Sequence, residues 1–282
     1  MKRIIAVISL VLCFCLLLCG CDSITSVLGG GDESIEYDIT DGEATVKSVP
    51  NKSTITEIVI PDEYEGVPVT KIADFSAANL EYVTTIHIGK NVKEIGAWSM
   101  TNNQHLTAFE VDENNPYFCD VDGVIYTKDM KTIVFYPPAK DLQDATDHEG
   151  KAIKISQYTI PDGVETIRSK AFYKCNALTQ VGVPSSVKSI EEKAFFRCER
   201  MENLVLPLAL EFIGKDAFSY CYGLKEIQIS ENVKEIGEYA FYNCTNLLII
   251  NVNNAESNIT LGEKWYPTNN GLEIKELKIN WK

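Results

Sequence analysis

Four cysteines stand at a spacing that invites chemistry: Cys175, Cys198, Cys221 and Cys244, each 23 residues after the last. Thiols in a column are the raw material of disulfides and of zinc sites. Each one ends the same word, Ala-Phe-x-x-Cys: AFYKC at 171–175, AFFRC at 194–198, AFSYC at 217–221 and AFYNC at 240–244. Residues related by translation carry parallel Cα–Cβ bonds, so neighbouring thiols stay apart by the spacing of the stacked units. That spacing exceeds the about 3.5–4.5 Å between Cβ atoms that a disulfide requires. A zinc site needs converging ligands, whereas a ladder diverges along its axis. The column therefore reads as buried free thiols acting as small hydrophobes, with no metal and no cofactor. Cys119 lies outside the column and has no evident partner.

Other catalytic constellations are thin. The histidines are His87, His105 and His148, and the chain has no Gly-x-Ser-x-Gly elbow, no His-Glu-x-x-His pair and no phosphate-cradling glycine loop. Asp-Val-Asp-Gly at 120–123 is a fragment of a calcium loop without its later carboxylates, and a hairpin turn accounts for it better. No catalytic residue is assigned, and the expectation is a binding protein rather than an enzyme.

The elements that position these residues follow from the same period. Ile167, Ile190, Ile213 and Ile236 precede the Ala-Phe word, and Leu178, Met201, Leu224 and Leu247 follow it, all at 23-residue spacing. Ile72, Ile95, Met100 and Leu106 extend the register upstream in weaker copies. Within each unit, pairs such as Val181 and Val183, Leu204 and Leu206, or Ile227 and Ile229 alternate with period two, the mark of a strand with one buried face. Ile160-Pro161, Val183-Pro184 and Leu206-Pro207 end three of these strands, because proline cannot donate to a ladder. Apolar positions 167, 171, 172, 175 and 178 then fall on one face of a short helical segment. A unit of strand, turn, short helix and turn cannot bury its apolar face alone, but stacked copies share a continuous core.

The full pattern, Ile-x-Ile-Pro-x-x-Val-x-x-Ile-Gly-x-x-Ala-Phe-x-x-Cys-x-x-Leu, resembles the 23-residue leucine-rich repeats of the BspA-like bacterial surface proteins. The resemblance covers about residues 55–252 and implies an α/β solenoid: a right-handed leucine-rich-repeat coil with a parallel β-sheet on its concave face and short helices on the other side. Residues 112–141 resemble a hairpin-bearing variant coil of that family. Residues 35–54 and 253–282 fit the repeat poorly and are expected to be N- and C-terminal caps. Strand ends at Ile60, Ile88, Val111, Tyr136, Ile160, Val183, Leu206, Ile229 and Val252, with Ile279 as a further candidate, predict a sheet on the order of 45 Å long.

The outward strand positions form the candidate ligand-binding surface. Two columns carry it, and the residues singled out are Glu110, Ile133, Phe135, Gln157, Gln180, Asn203, Val205 and Gln228. Amides and small polar groups dominate, with Ile133 and Phe135 as the expected apolar centre, which suits a protein or peptide ligand. As family members are often adhesins or surface antigens, the resemblance implies adhesion. A glycan-binding module is the alternative, weakened because Phe135 is the one aromatic in these columns. A structural cell-envelope scaffold is a third reading. Nucleic acid is excluded as a partner by charge: the chain carries 26 basic against 40 acidic residues, a net −14.

The leader assigns the compartment. Met-Lys-Arg followed by the apolar run IIAVISLVLCFCLLL has the form of a signal peptide over residues 1–20. Leu18-Cys19-Gly20-Cys21 resembles the lipobox of bacterial lipoproteins, which implies lipid attachment at Cys21, a tether over 21–34, and an extracytoplasmic protein held to the membrane of a bacterium through that anchor. With the leader removed, 24 basic residues face 40 acidic ones, a net −16. Lipidation at Cys21 predicts that Cys21→Ser moves the protein from the membrane fraction to the soluble one, and retention of the variant in the membrane fraction would rule the anchor out.

Overall fold

The computed structural model describes residues 34–282, so Cys21 and the leader lie outside the described residues. The chain winds as a β-solenoid whose coils present three walls. The first is made of the longer strands, in parallel register. Glu57–Ile60, Thr85–Ile88 and Ala108–Val111 form one stretch. Ala152–Thr159, Leu178–Gly182 and Asn203–Leu204 form a second. Glu226–Ile229, Ile249–Val252 and Lys278–Trp281 form the third. Ile279 thus pairs with Ile250 and continues the ladder. The second wall is a ladder of short strands: Thr132–Phe135, Thr166–Ile167, Ser189–Ile190, Phe212–Ile213, Glu235–Ile236 and Thr260–Leu261. Its N-terminal counterpart joins Glu43–Ser48, Val67–Ile72 and Glu94–Ile95. At the glycines of this wall the coils touch too closely for a side chain: a Cβ on Gly237 would meet the backbone nitrogen of Lys215 at 2.4 Å.

The third wall carries the Ala-Phe-x-x-Cys words, and here the structure corrects the sequence reading. Among the described residues the helical content is one 3-10 turn, Glu256–Asn258, and the expected short helices are absent. The reason lies in two left-handed residues per unit. Lys170, Lys193, Asp216 and Tyr239 precede each Ala, Lys174, Arg197, Tyr220 and Asn243 precede each Cys, and all eight have φ between 54° and 65°. Non-glycine residues reach this region at a cost of about 1 kcal/mol each, and it ends any right-handed helical run. The reward is that alternate N–H groups point at the next coil: Phe172 N–H donates to Ala194 O (2.8 Å), Phe195 to Ala217 O (2.8 Å) and Phe218 to Ala240 O (2.8 Å). The wall is a hydrogen-bonded ladder built from turns. Apolar spacings of three and four satisfy a stack of turns as well as they satisfy a helix.

Inside, the repeat columns stack. Phe172, Phe195, Phe218 and Phe241 are fully buried, with ring centroids 4.8, 5.3 and 5.3 Å apart and planes within 11° of parallel. Trp265 closes this stack edge-on at one end. The four cysteines beside it are free and buried. Cys198, Cys221 and Cys244 each donate from Sγ to the carbonyl of the Phe in the preceding coil, at 3.1, 3.1 and 3.0 Å. Burial pushes the Cys175, Cys198 and Cys221 thiols up in pKa, so they stay protonated and inert. In the N-terminal coils the same column is filled by Asn103, whose amide donates to Ala77 O (2.8 Å) and accepts the Leu80 N–H (2.8 Å).

The variant coil divides the core. Phe118–Val121, Val124–Thr127 and Thr132–Phe135 form an antiparallel sheet attached to the short-strand ladder through Thr132 and Ile133. Val124, Tyr126 and Ile133 pack into the C-terminal core, whereas Phe118, Ile125, Val134 and Phe135 pack into a separate N-terminal core. The hairpin is therefore a septum with both faces covered. Ile133 and Phe135, expected at the exposed centre of the long-strand wall, are buried at 0% and 3% exposure. Tyr136 also leaves the long-strand ladder. Its N–H bonds to Ala171 O (2.9 Å) and its ring stacks on Phe172 at 5.0 Å, so it heads the Phe column.

Glu165 fastens the septum to the coils that follow, accepting from Lys131 Nζ (2.7 Å) and Lys188 Nζ (2.9 Å). The hydrogen bond from Lys131, then that from Lys188, lowers its pKa from the ordinary 4.5 to about 2. Its stabilising charge is therefore fully present above pH 4.5 and is lost as pH falls through about 2. The difference in urea midpoint between wild type and Glu165→Gln should be present at neutral pH and close over that acid range, and a gap still intact at the acid end would contradict the pairing. Phe218→Ala should cost about 3–5 kcal/mol, and Phe135→Ala should cost a comparable amount because both rings are buried. A Phe135→Ala loss within the surface range of about 0.5 kcal/mol would place that ring outside the core.

Candidate functional site: the exposed long-strand wall

The long strands keep the alternation that their sequence implies: Ile58 and Ile60, Ile86 and Ile88, Leu204 and Leu206, Ile227 and Ile229 point inward and are buried. Their neighbours stand outward. In the second stretch Gln157, Gln180 and Asn203 are aligned by strand register and exposed, and none of their side-chain amides has a hydrogen-bond partner among the described residues. Further along, the amides are occupied. Asn251 Nδ2 donates to Glu226 Oε1 (2.7 Å), Asn280 Nδ2 to Asn251 Oδ1 (2.8 Å), and Gln228 Nε2 to Asn253 Oδ1 (3.3 Å).

Between the unpartnered and the occupied amides lies the apolar feature of the wall. Val205 is 79% exposed and Leu208 74%, the highest values among the exposed large apolar side chains of the described residues. Pro207 separates the strand from the turn that carries Leu208, and Gly182, one coil back from Val205, has no side chain to cover it. Leu208 escaped the sequence reading, although the signal was present. The residues at its position in neighbouring units are Asp162, Ser185 and Glu231, all polar.

The structure does not bring all the sequence candidates together. Ile133 and Phe135 are in the septum, and Glu110 belongs to the N-terminal sheet. There Glu110 Oε2 lies 3.1 Å from His87 Nδ1, and Glu57 Oε2 lies 3.6 Å from His87 Nε2, beside a 360 Å³ depression that also borders Val59, Asp62 and Asp112. Among the described residues no group of three or more His, Cys, Asp or Glu could hold a metal ion. Cys119 is half-buried in the septum, its Sγ 3.6 Å from Met130 Sδ, and burial raises its pKa.

The sequence reading also missed a run of aromatic rings along the turn wall. Phe75, Trp98, Tyr173, Phe196, Tyr220 and Tyr242 follow one another with centroids 5.2–5.8 Å apart. Lys170 Nζ sits 4.3 Å over the Trp98 ring and the Arg197 guanidinium 5.1 Å over Tyr220. These rings are spent on one another and on cations, an arrangement that fastens coil to coil.

Comparison with known proteins matches this architecture. No curated protein matches the chain at a significant level. Among solved structures, the pneumococcal vaccine antigen PcpA is similar with a TM-score of 0.59 at 24% identity, over 81% of this chain and 57% of that one. The present chain thus spans little more than half of that protein's solved length. A leucine rich cell surface protein from Faecalibacterium prausnitzii is similar at 22% identity and a TM-score of 0.42, over 89% of this chain and 76% of that one. The leucine rich repeat protein of T. pallidum is similar at 19% and 0.40, over 83% and 85%. Six copies of the BspA type leucine rich repeat region match residues 47–122 and 150–272, leaving unmatched the last two strands of the septum and the segment that follows them. With most of its length matched by those copies, the chain belongs to the BspA type leucine rich repeat family.

Proposed function

We propose that the protein is a surface-displayed binding module that recognises a protein or peptide partner through the second stretch of its long-strand wall. The observation that carries this reading is the pair Val205 and Leu208, two large aliphatic side chains left in water in a coil whose repeat could have supplied polar residues. Fully burying such a side chain against a partner is worth about 1.5–3 kcal/mol. The unpartnered amides of Gln157, Gln180 and Asn203 surround that centre with donors and acceptors, as the polar rim of a protein interface does. Gln228 completes the far side of the patch. Family membership supports an interaction or scaffold role, and attachment through a lipidated Cys21 would hold the wall at the cell surface. Adhesion is the form such a role takes when the partner is fixed to another surface.

The pair is testable without disturbing the fold, because exposed substitutions change stability by about 0.5 kcal/mol or less. Surface proteins captured by the immobilised chain should bind Val205→Ser/Leu208→Ser at least about tenfold more weakly, with the melting temperature unchanged. Equal capture by the double variant would refute the patch.

A further inference from the structure

The septum leaves a gap in the second wall, and the gap is furnished. In each intact rung a carbonyl accepts the N–H of the next coil: Ile72 O from Gly96 (2.9 Å), Ile133 O from Arg168 (3.1 Å) and Ile167 O from Glu191 (2.9 Å). Ile95 stands at the break and has no such coil beside it. Its carbonyl is taken instead by the Arg168 guanidinium, which reaches across from two coils further on. The space left between Glu94–Ile95 and the strands Thr132–Phe135 and Thr166–Ile167 is an open cleft of 620 Å³. That volume lies within the range of about 300–1,000 Å³ typical of small-molecule sites.

The lining specifies the chemistry of an occupant. Lys71, Lys93 and Arg168 face Asp74, Glu94 and Glu191, so the cleft is electrically balanced in a protein of net charge −14. The exposed charges are already matched: Lys71 pairs with Glu94 at 2.8 Å and Lys93 with Glu43. Asp74 Oδ1 accepts the Trp98 N–H (2.9 Å) and Glu191 Oε2 the Ser169 N–H (2.9 Å). Arg168 is in no ion pair, but the Asp74 and Glu191 carboxylates stand near enough to offset its charge, so a charged ligand meets no net countercharge in the cleft. What remains unsatisfied is uncharged hydrogen-bonding capacity. The Thr132 and Thr166 hydroxyls have no partner among the described residues, and Arg168, which makes no ion pair there, has one N–H donor engaged by Ile95. Ile95, Phe118 and Val134 supply an apolar floor. Donors and acceptors converging over an apolar floor match a molecule with hydroxyls at its edge and C–H groups on its face.

We propose that this cleft is a binding site for a neutral polyhydroxylated ligand, a short stretch of sugar chain, held by the Arg168 guanidinium and the Thr132 and Thr166 hydroxyls. The site is separate from the Val205 patch and stands or falls independently of it. Because its walls come from both sides of the septum, an occupant would also tie the N-terminal and C-terminal coils together.

Saturation-transfer NMR on the full chain, with maltose, cellobiose, lactose and N,N′-diacetylchitobiose as probes and glucuronate and glycylglycine as charged comparators, tests the site. At least one neutral disaccharide should show transfer. Loss of one neutral hydrogen bond in Thr166→Val should weaken it about three- to tenfold, and Arg168→Met about ten- to a hundredfold. Val205→Ser should leave it unchanged. Thr166→Val and Thr132→Val keep the shape of half-buried side chains, so they remain informative if Arg168→Met unfolds. Silence from every neutral disaccharide, transfer confined to the charged comparators, or sugar binding untouched by both threonine variants would each overturn the proposal.

Discussion

The structure depends on one constraint: backbone groups of each coil are satisfied by the next coil rather than within their own. On the turn wall this requires alternate peptide N–H groups to face along the solenoid axis, and two left-handed residues per unit achieve that orientation. The same translation that aligns Phe172 N–H with Ala194 O also places Phe172 over Phe195 and Cys175 beside Cys198. Side-chain repetition is then a consequence of backbone repetition, because any residue must fit its own image one coil away. The thiol earns its recurrence by being small, apolar and still able to offer a weak donor to the Phe carbonyl. Asn103 shows the alternative, a stronger donor with the same reach.

A coil that departs from this translation has consequences on every wall. The septum hairpin interrupts the long-strand sheet after Ala108–Val111, turns Tyr136 into the head of the Phe column and leaves the Ile95 carbonyl without a neighbouring coil. Two hydrophobic cores result, with the hairpin shared between them. Beside the few backbone bonds that cross the joint, such as Ala139 N–H to Leu106 O, side chains hold it: Arg168 on Ile95 O, Lys174 Nζ on Asn102 Oδ1 at 3.0 Å, and Lys170 over Trp98. Such contacts are individually weaker than a ladder, so this is where the solenoid has least backbone continuity and most open space.

Much of this was legible in the sequence because repetition is a nonlocal signal written locally. The 23-residue columns located the strands, their inward pairs and the buried thiols without reference to any one residue's propensity. The helices were misread because hydrophobic spacing reports which positions face the core, not the sign of φ between them. Lys170 or Arg197 in a left-handed conformation has no compositional mark, since neither is glycine, asparagine or aspartate. Ile133 and Phe135 were misplaced for a different reason. The register was extended as if one face were exposed, yet Val124-Ile125-Tyr126 and Ile133-Val134-Phe135-Tyr136 are continuous apolar runs, the pattern of a strand covered on both sides. The Arg168 bridge could not be read at all, because it answers to a carbonyl 73 residues away.

Repetition also says where to look for function. In a solenoid a residue that matches its column is explained by its neighbours one coil up and down, and carries little information about a ligand. Asn251 is explained in this way, bonded to Glu226 on one side and Asn280 on the other. Leu208 is not, for Asp162, Ser185, Glu231 and Asn254 hold its position in the other C-terminal coils and no coil contact requires an aliphatic group there. Arg168 stands one place after the strand isoleucine, a position that Gly96, Gly214, Gly237 and Gly262 hold against the coil before and that Glu191 holds in the coil after it. What sets Arg168 apart is that its guanidinium crosses the septum break to the Ile95 carbonyl. The residues that break the pattern thus divide into those the fold itself demands, as at the joint, and those it merely permits, as at Val205 and Leu208. Selection for a partner acts most freely on the second kind, since changing them leaves the ladder intact.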